Sequence, residues 1–374
     1  MRESWEIKRI GDVCEVLDSK RKPITKSNRQ SGSIPYYGAT GIQDYVKDYI
    51  FDGRYLLIGE DGAKWGKDDN TAFIIEGKSW VNNHAHILQL HSNVIDSFVR
   101  YYLNGKDLNS FITGAVVPKL TQAALVSIPI PVPPLQEQER IVAELDLLTG
   151  IIDKQKQQLK ELDTLAQSIF YDMFGNPVEN DRGWDVRTLE DLADVGSSRR
   201  IFAKEYTDKG IPFYRIKEVV ERSRKQALSV ELFISKERYS EIKSKNGIPS
   251  VGDILITAVG TIGEIWVVDS EEPFYFKDGN IIWLHSISND VNSSFFRYQL
   301  EALIEDYKKV SIGSAYSALT IVKLKQLLCP IPPRDIQDLF SEKIASIEKQ
   351  KQSINRSLAE SQKLFDYTMD KYFG

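Results

Sequence analysis

Cysteine is scarce in this 374-residue chain, since only Cys14 and Cys329 occur and they lie in opposite halves. Two distant thiols without CxxC spacing argue against a zinc ribbon or a disulfide scaffold and indicate a reducing compartment. No apolar run approaches the roughly 18 residues that a membrane span needs. The N-terminal segment MRESWEIKRIGDV lacks the apolar core of a signal peptide. We therefore expect a soluble, cytoplasmic protein.

Motifs for nucleotide and cofactor chemistry are also missing. The chain has no GxxxxGK(S/T) phosphate loop, which argues against ATP use by this chain. No glycine-rich strand–turn–helix pattern suited to S-adenosylmethionine or a dinucleotide stands out. We interpret GATG at 38–41 and GTIG at 260–263 as turns, because a lone GxxG pattern is weak evidence for a phosphate site.

Two short sequences bear on metal and hydrolytic chemistry. HAH could place His84 and His86 on one face of a strand, but no carboxylate or cysteine follows at a metal-ligand spacing. EDGAK at 60–64 is similar to a nuclease carboxylate–lysine site, whereas the corresponding part of the second half reads AVGTIG. We therefore predict no metal site and no catalytic residue.

The chain contains one pattern twice. PVPP at 131–134 matches PIPP at 330–333, and Gln138 matches Gln337, both at an offset of 199 residues. This offset holds without a gap to the FG pair at 174–175, which matches the final FG of the chain. Repeats of this length indicate two structural units.

The matches upstream of the prolines are looser. WEIKRIGDVCEV from Trp5 is similar to WDVRTLEDLADV from Trp184, and IPYY at 34–37 matches IPFY at 211–214. The offset drifts from 179 to 199 along these regions. Each copy is therefore a variable globular region followed by a constant proline-to-helix region, and Asn176–Pro177 marks the boundary between the copies.

The constant regions predict two long helices. Prolines at alternating positions favour an extended, polyproline-like approach that starts each helix in a fixed direction. Apolar residues then recur at spacings of four and three, which predicts a coiled-coil seam in each copy. Two separate amphipathic helices, each packed on its own domain, are the alternative. The seam residues are Ile141, Leu145, Leu148, Ile152, Leu159, Leu162 and Ile169 in the first copy and Ile344, Ile347, Ile354, Leu358 and Phe365 in the second.

The globular regions have mixed patterns. Segments such as YLLIGEDG, AHILQL, DILITAVG and NIIWLH predict short strands, and DSFVRYYLNG and SSFFRYQLEALIEDY predict helices. The expected fold class is therefore α+β, with two pseudo-symmetric repeats that each consist of a mixed α/β domain followed by a long helix.

Basic residues cluster locally, although the net charge is −5. Five basic and no acidic residues lie between positions 19 and 43, and Lys20–Arg21 align with Arg199–Arg200. A short basic run is usually a solvated loop, but its recurrence at the aligned place favours phosphate contact as strongly. Polar and aromatic neighbours could read base edges. The candidate DNA-binding residues are Lys20, Arg21, Lys22, Lys26, Lys64, Asn82, Asn83, His84, Lys119, Arg199, Arg200, Lys204, Arg215, Lys277 and Tyr316.

These motifs together resemble the specificity subunit of type I restriction–modification enzymes. The resemblance covers essentially the whole chain and rests on IPYYGATG, GEDGAKWG, WVNNHAHIL, VPKLTQAALVSIPIPVPPLQEQERI and LTIVKLKQLLCPIPP. The run from the prolines through PL, EQ and RI into a long helix is its most specific part. The second copy departs from it, because PPRDIQDLF lacks the EQ pair and FYFKDGNIIWL replaces WVNNHAHIL.

The resemblance implies two target recognition domains, at 1–134 and 177–333, that each read one half of a split DNA sequence. It implies that the helices at 135–176 and 334–374 pair antiparallel as a spacer on which DNA methyltransferase subunits, two by this reading, dock. Restriction and translocase subunits would join them, and S-adenosylmethionine, ATP and Mg²⁺ would belong to those partners. A stand-alone DNA enzyme with an unfamiliar site and a structural coiled-coil protein are the competing functions.

An antiparallel helix pair in the symmetric register opposes Ile141 with Tyr372, and no layer then contains two polar residues. The first helix paired with itself would also be almost wholly apolar. The second helix paired with itself would place Lys351 against Ser361, which desolvates a charge. The sequence therefore predicts that the two helices differ in their tendency to self-associate.

Overall fold

The computed structural model describes residues 5–310 and 319–374 and divides the chain into two compact units. Unit 1 comprises Met1–Gln157 and Ile354–Gly374, and unit 2 comprises Gln158–Ser353. Each unit therefore holds one globular region together with part of each long helix. None of the helices in the described residues is long and apolar enough to span a membrane.

Unit 1 has a mixed α/β globular region whose last element is the first long helix, which continues into unit 2. Its elements are β1 (Glu6–Arg9), α1 (Ile10–Val13), β2 (Cys14–Val16), β3 (Ser31–Gly38), β4 (Gly41–Val46), β5 (Phe51–Gly59), β6 (Ala72–Val81), β7 (Ala85–Leu90), α2 (Asp96–Asn104), α3 (Gln122–Ser127), β8 (Pro129–Val132) and α4 (Leu135–Phe174).

Six strands of unit 1 form one sheet in the order β2-β7-β5-β6-β3-β4. The pair β3–β6 is parallel, and the other neighbours are antiparallel. In the central strand β5, Leu56 and Ile58 belong to one buried cluster and Leu57 belongs to another. This alternation follows from the two-residue period of a strand, and it shows that both faces of β5 are covered.

Unit 2 repeats this plan with shorter strands. Its elements are β9 (Asp185–Thr188), α5 (Leu189–Leu192), β10 (Asp194–Gly196), β11 (Tyr206–Thr207), β12 (Ile211–Tyr214), α6 (Ile216–Ser223), β13 (Phe233–Ile234), α7 (Lys236–Asn246), β14 (Ile254–Thr257), β15 (Ile265–Val267), β16 (Tyr275–Phe276), β17 (Ile281–His285), α8 (Ser293–Val310), α9 (Ile321–Lys325), β18 (Leu328–Ile331) and α10 (Arg334–Phe373).

Strand order and register confirm the repeat. The order β10-β17-β14-β15 in unit 2 corresponds to β2-β7-β5-β6 in unit 1. The matching motifs IPYY and IPFY take equivalent places, because Tyr37 pairs in parallel with Val81 and Tyr214 pairs in parallel with Phe276. The sequence alignment of the two globular regions is therefore an alignment in three dimensions.

The prolines before each long helix lie in short edge strands rather than in a free polyproline segment. β8 pairs antiparallel with β1, and β18 pairs antiparallel with β9. Pro129 and Pro131 occupy alternate positions of β8. Proline fits such an edge because its missing N–H can face away from the partner strand. The extended backbone was expected, but the strand partner was not.

A buried glutamine fixes the first turn of α4. The side-chain oxygen of Gln138 accepts a hydrogen bond of 2.9 Å from the backbone N–H of Ile95, the residue before α2. Its amide nitrogen donates to the carbonyls of Asn93 at 3.1 Å and Pro133 at 2.9 Å. One side chain thus joins the helix, the proline segment and the loop before α2.

Gln337 makes the same three bonds at the start of α10. Its oxygen accepts from the N–H of Asn292 at 2.8 Å, and its nitrogen donates to the carbonyls of Asp290 and Pro332 at 2.9 and 2.8 Å. Both glutamines are fully buried. The second copy has lost the EQ pair, but it keeps the glutamine that holds the helix.

The long helices pair antiparallel in each unit. Every predicted seam residue is buried or half-buried. In unit 1 the amide of Gln155 donates to the hydroxyl of Ser357 at 2.9 Å, and in unit 2 the ammonium of Lys351 lies 2.6 Å from a carboxylate oxygen of Asp163. Both pairs lie within one residue of the predicted register. The coiled-coil prediction is confirmed.

Aromatic residues outside the heptad pattern join each helix to a globular core. In unit 2 the ring of Phe174 lies 4.6 Å from that of Phe295 and 5.3 Å from that of Phe340, between centroids. In unit 1 the ring of Phe373 lies 5.3 Å from that of Phe98. Each helix therefore packs on its partner helix and on a globular region at once.

We expect a fragment of residues 1–176 to dimerise more tightly than a fragment of residues 177–374. Two copies of α4 present an almost wholly apolar seam to each other. Two copies of α10 would lack Asp163, one of two carboxylates that neutralise Lys351, and the equivalent position in α10 is Gln362. A half-buried ammonium without that partner lowers the stability of the dimer.

Sedimentation of both fragments at equal concentration measures the difference. The control is Lys351→Leu in the second fragment, which should raise its dimerisation toward that of the first. A monomeric first fragment, or a second fragment that dimerises as tightly without the substitution, would contradict the register.

Candidate nucleic-acid interface

Four loops of unit 1 meet at the edge of its six-stranded sheet. They are the loop after β2, the loop after β5, the β6–β7 turn and the segment before α3. The N–H of Leu120 donates to the carbonyl of Glu60, and the N–H of Glu60 donates to the carbonyl of His84, both at 2.8 Å. The backbone of Glu60 therefore ties three of these loops together.

An ion-pair network holds the same loops through their side chains. The guanidinium of Arg21 lies 3.1 Å from Asp18 and 2.5 Å from Glu60, and the ammonium of Lys119 lies 2.6 Å from Glu60. Only 13% of the Arg21 side chain and 9% of the Glu60 side chain are exposed. Buried charges of opposite sign in contact compensate part of their desolvation cost. This network fixes the loops with respect to one another.

His86 extends the network into the core. Its ring is fully buried, with Nδ1 2.5 Å from a carboxylate oxygen of Asp18 and Nε2 2.7 Å from the carbonyl of Leu120. Ligand atoms of Asp18, Glu60 and His86 lie within 4.8 Å of one another, which is a spacing that a metal ion could bridge. Arg21 already neutralises both carboxylates, so ion pairing accounts for this cluster.

The two histidines of HAH therefore have different roles. His84 is exposed and contacts the carboxylate of Asp61, whereas His86 faces the core. Glu60 of the EDGAK sequence belongs to the ion-pair network with Arg21 and Lys119. The network has no spacing signal in the sequence, because its members come from three separate loops and from strand β7.

Two candidate residues are less accessible than their predicted role requires. Arg21 is committed to Asp18 and Glu60, so its charge is not free for a phosphate. Asn82 is only 2% exposed, and its side chain shapes the β6–β7 turn by accepting from the N–H of His84 at 2.8 Å. Lys119 is likewise engaged by Glu60, and contact of these three residues with DNA stays a prediction.

The other unit 1 candidates face outward around the network. Among the described residues, the four exposed lysines of this candidate set have no ion-pair partner. Asn83 and His84 are exposed at the β6–β7 turn. These outward residues are Lys20, Lys22, Lys26, Lys64, Asn83 and His84. A buried charged frame with an exposed basic surface is an arrangement that suits a polyanion.

The corresponding edge of unit 2 is also formed by tied loops. The hydroxyl of Ser198 donates to the carbonyl of Phe276 at 2.6 Å, and the hydroxyl of Ser197 donates to that of Ile281 at 2.8 Å. Arg199 and Arg200 follow directly and are exposed. Their loop therefore occupies the place that the loop of Lys20 and Arg21 has in unit 1, as the alignment predicts.

Exposure differs among the unit 2 candidates. Arg200 is mostly exposed and lies 2.9 Å from Asp278, a surface pair of small energetic value. Lys204 is exposed, and Lys277 is half-buried. Tyr316 lies outside the described residues.

Arg215 is engaged within unit 2. Its guanidinium lies 2.8 Å from the fully buried Glu218 and 3.0 Å from Glu231. Hydrogen bonds to Glu218 and then to Glu231 raise the pKa of Arg215 above its usual value. Lys217 and Arg215 lower the pKa of Glu231 through hydrogen bonds. Arg215 therefore lies at the start of α6 in ion pairs with Glu218 and Glu231, and its contact with DNA stays a prediction.

A protein-family model described as the type I restriction modification DNA specificity domain matches residues 2–164 and again residues 181–361. This chain belongs to that family. The two matches cover the two repeats, so both copies belong to the type I specificity family. The resemblance drawn from the sequence is confirmed.

Relatives within the type I specificity family match along most of the chain. A putative type I restriction enzyme specificity subunit of Haemophilus influenzae is 33% identical over 97% of this chain and 93% of its own length. The MjaVIII specificity subunit of Methanocaldococcus jannaschii is 22% identical over 92% of this chain and 86% of its own length.

Solved structures share the fold. The crystal structure of a type I restriction–modification S subunit from M. genitalium has a TM-score of 0.62 at 14% identity, over 99% of this chain and 96% of that chain. A chain from a study of complex assembly and conformational transition in the type I system has a TM-score of 0.54 at 17% identity, over 100% and 98%. The α+β repeat architecture is therefore that of known S subunits.

Lys20→Ala and Arg21→Ala are adjacent substitutions with different expected results. Lys20→Ala should weaken binding to all DNA sequences and reduce the slope of log K against log salt by about one, because one phosphate contact is lost. Arg21→Ala leaves two buried carboxylates without their guanidinium and should lower the free energy of unfolding by about 3–5 kcal/mol. Salt titration of DNA binding and thermal unfolding separate the two effects.

The outcome for Arg21 is decisive. If Arg21→Ala unfolds at the wild-type temperature and reduces the salt slope as Lys20→Ala does, Arg21 contacts phosphate and the role we assign to it here is wrong.

Proposed function

We propose that this chain is the DNA-specificity subunit of a type I restriction–modification complex and that each unit binds one half of a bipartite DNA sequence. The observation that carries the proposal is the repeated loop edge. Both units place an exposed basic loop at the same position of the same strand order. A scaffold that repeats while its loops differ is suited to reading two different half-sites.

The loops differ in the way that two half-sites require. In unit 1 the chain turns back after β3 to form the strand β4, whereas in unit 2 the equivalent β12 leads into the helix α6. In unit 1 the frame is the network around Glu60, and in unit 2 it consists of serine hydroxyls bonded to backbone carbonyls. The two edges therefore present different hydrogen-bonding groups to DNA.

Catalysis and cofactors belong to partner subunits in this proposal. S-adenosylmethionine would bind the methyltransferase subunits, and ATP and Mg²⁺ would bind the restriction and translocase subunits. The missing nucleotide motifs of this sequence support that division. The pure chain incubated with S-adenosylmethionine and DNA should transfer no methyl groups, whereas methyl transfer would favour a stand-alone DNA enzyme.

We expect the half-sites to be independent. Exchange of residues 1–134 for the matching region of the Haemophilus influenzae relative should change one half of the recognised sequence and leave the other half unchanged, because each unit has its own core and its own loop edge. Methylome sequencing of a host that carries the full system gives the result. A change in both halves would contradict the assignment of one half-site to each unit.

An exposed apolar patch on the long helices suits a methyltransferase subunit. The side chains of Leu147 and Ile151 on α4 are 66% and 37% exposed, and those of Leu364 and Tyr367 on α10 are 52% and 66% exposed. The predicted antiparallel register places Leu364 within two residues of the position opposite Ile151, and Tyr367 within one residue of the position opposite Leu147. Apolar side chains grouped on an exposed helix surface are typical of a protein interface.

The equivalent flank in unit 2 is more polar. The repeat places Leu165, Ser168, Ser346 and Gln350 there. The two ends of the helix pair therefore differ, and we propose that the apolar patch in unit 1 is the stronger contact for a methyltransferase subunit.

The substitutions Leu147→Asp and Tyr367→Asp test the patch. Together they should weaken binding of the cognate methyltransferase subunit at least about tenfold, because charged groups would be buried at the centre of the contact. Val251→Asp is the control, since Val251 is 51% exposed but lies outside the long helices. Equal binding by both variants, measured by calorimetry with correctly folded chains, would show that the patch is not the contact.

A further inference from the structure

Gln43 is an exposed side chain whose amide group is held in place from two sides. It lies on β4, and its side-chain oxygen accepts a hydrogen bond of 3.2 Å from the amide nitrogen of Asn82. An exposed glutamine normally samples many rotamers, and fixing it costs conformational entropy. A glutamine that the protein has already oriented does not pay that cost when it binds a ligand.

The orientation of Asn82 decides which end of the Gln43 amide is hydrogen-bonded within the protein. The side-chain oxygen of Asn82 accepts a hydrogen bond of 2.8 Å from the backbone N–H of His84. The backbone N–H of Asn82 donates to the carbonyl of Tyr37 at 3.0 Å. A backbone N–H can only donate, so the group of Asn82 that faces Gln43 is its NH₂. Asn82 therefore binds the oxygen of Gln43 and leaves the Nε2 group of Gln43 available.

Gly38 provides the space in which the amide of Gln43 lies. A Cβ atom at Gly38 would be 2.1 Å from Nε2 and 2.3 Å from Cδ of Gln43. A side chain at position 38 would therefore displace the amide, although the displaced atoms belong to a flexible chain end and the strand could persist. Asn82 and Gly38 together form a slot that fits the Gln43 amide in one orientation.

The slot belongs to the loop edge described above. Asn82 immediately precedes Asn83 and His84, and the guanidinium of Arg21 donates to the carbonyl of Ala85 at 2.8 Å. Among the described residues, the Nε2 group of Gln43 makes no hydrogen bond. A pre-oriented donor on a basic edge is suited to an acceptor atom on a base edge.

We propose that Gln43 is a base-reading residue that donates from Nε2 to the N7 atom of a purine in the half-site bound by unit 1. N7 is an acceptor that both purines present in the major groove, and glutamine is a common reader of it. Asn82 and Gly38 are positioning residues: Asn82 binds the oxygen of the Gln43 amide, and Gly38 leaves room for its nitrogen. The inference rests on the proposed function and names a specificity-determining residue within it.

The first experiment combines a protein change with a DNA change. The full chain, assembled with its methyltransferase partner, selects its recognised sequence from a random duplex library. Each purine of the unit 1 half-site is then replaced in turn by its 7-deaza analogue, which lacks N7. At one position the analogue should weaken wild-type binding about tenfold, within the range for one base contact. Gln43→Ala should weaken binding to the unmodified site by a similar factor. The variant should then bind the site with the analogue at that position as tightly as it binds the unmodified site.

The positioning residues give a second, sharper readout. Asn82→Asp keeps an acceptor for the N–H of His84. Its second carboxylate oxygen can only accept, so the amide of Gln43 should rotate to donate from Nε2 to this oxygen. The Gln43 oxygen is then the unpaired end of the amide, so the selected base should change to one with an amino donor and sensitivity to the 7-deaza analogue should disappear. Gly38→Ala should reproduce the effect of Gln43→Ala without touching that residue.

Gln89→Ala is the control, since Gln89 is an exposed glutamine on β7 of the same unit. It should leave the selected sequence and the analogue profile unchanged. If Gln43→Ala retains the wild-type analogue profile at every purine, or alters both half-sites, the inference is wrong. A wild-type complex that selects no sequence from the library would instead overturn the proposed function, so the two failures are distinguishable.

Discussion

The rest of each unit depends on one buried glutamine, Gln138 in unit 1 and Gln337 in unit 2. Each joins the proline segment, the loop before a domain helix and the first turn of a long helix by three hydrogen bonds of 2.8 to 3.1 Å. A buried amide that loses one partner costs about 1–3 kcal/mol. All three backbone segments must therefore be in place together, which fixes where the helix begins on its own domain.

The sequence predicted the scaffold better than the interface. The repeat follows from motifs that match at an offset of 199 residues. The helix seams follow from periodic apolar residues, because burial in a helix pair imposes a period that the sequence must show. The antiparallel pairing was implied by the family resemblance. The role of Arg21 could not be predicted in this way. Its partner Glu60 is 39 residues away, and only the sheet brings them together. The sequence alone does not distinguish a basic loop residue that faces solvent from one that is paired with a buried carboxylate.

The same limit explains the aromatic residues that the heptads missed. Phe174 lies off the helix seam and packs on Phe295 of the domain. A heptad pattern describes one face of a helix, whereas the ends of these helices have two buried faces. Where a second face of a helix is buried, apolar residues outside the seam are expected. Their partners depend on how the domain packs on the helix, which the heptad pattern does not reveal.

The strand β3 and its counterpart β12 show how one scaffold can serve two specificities. Tyr37 and Tyr214 occupy the same register beside a parallel neighbour, because the core and the backbone hydrogen bonds fix that register. The next residue differs between the two units. Gly38 in unit 1 leaves room for the amide of Gln43. In unit 2 the backbone N–H of Arg215 donates to the carboxylate of Glu218, and the helix α6 begins at the next residue. A single position after a conserved register thus separates two reading surfaces without disturbing the sheet that carries them.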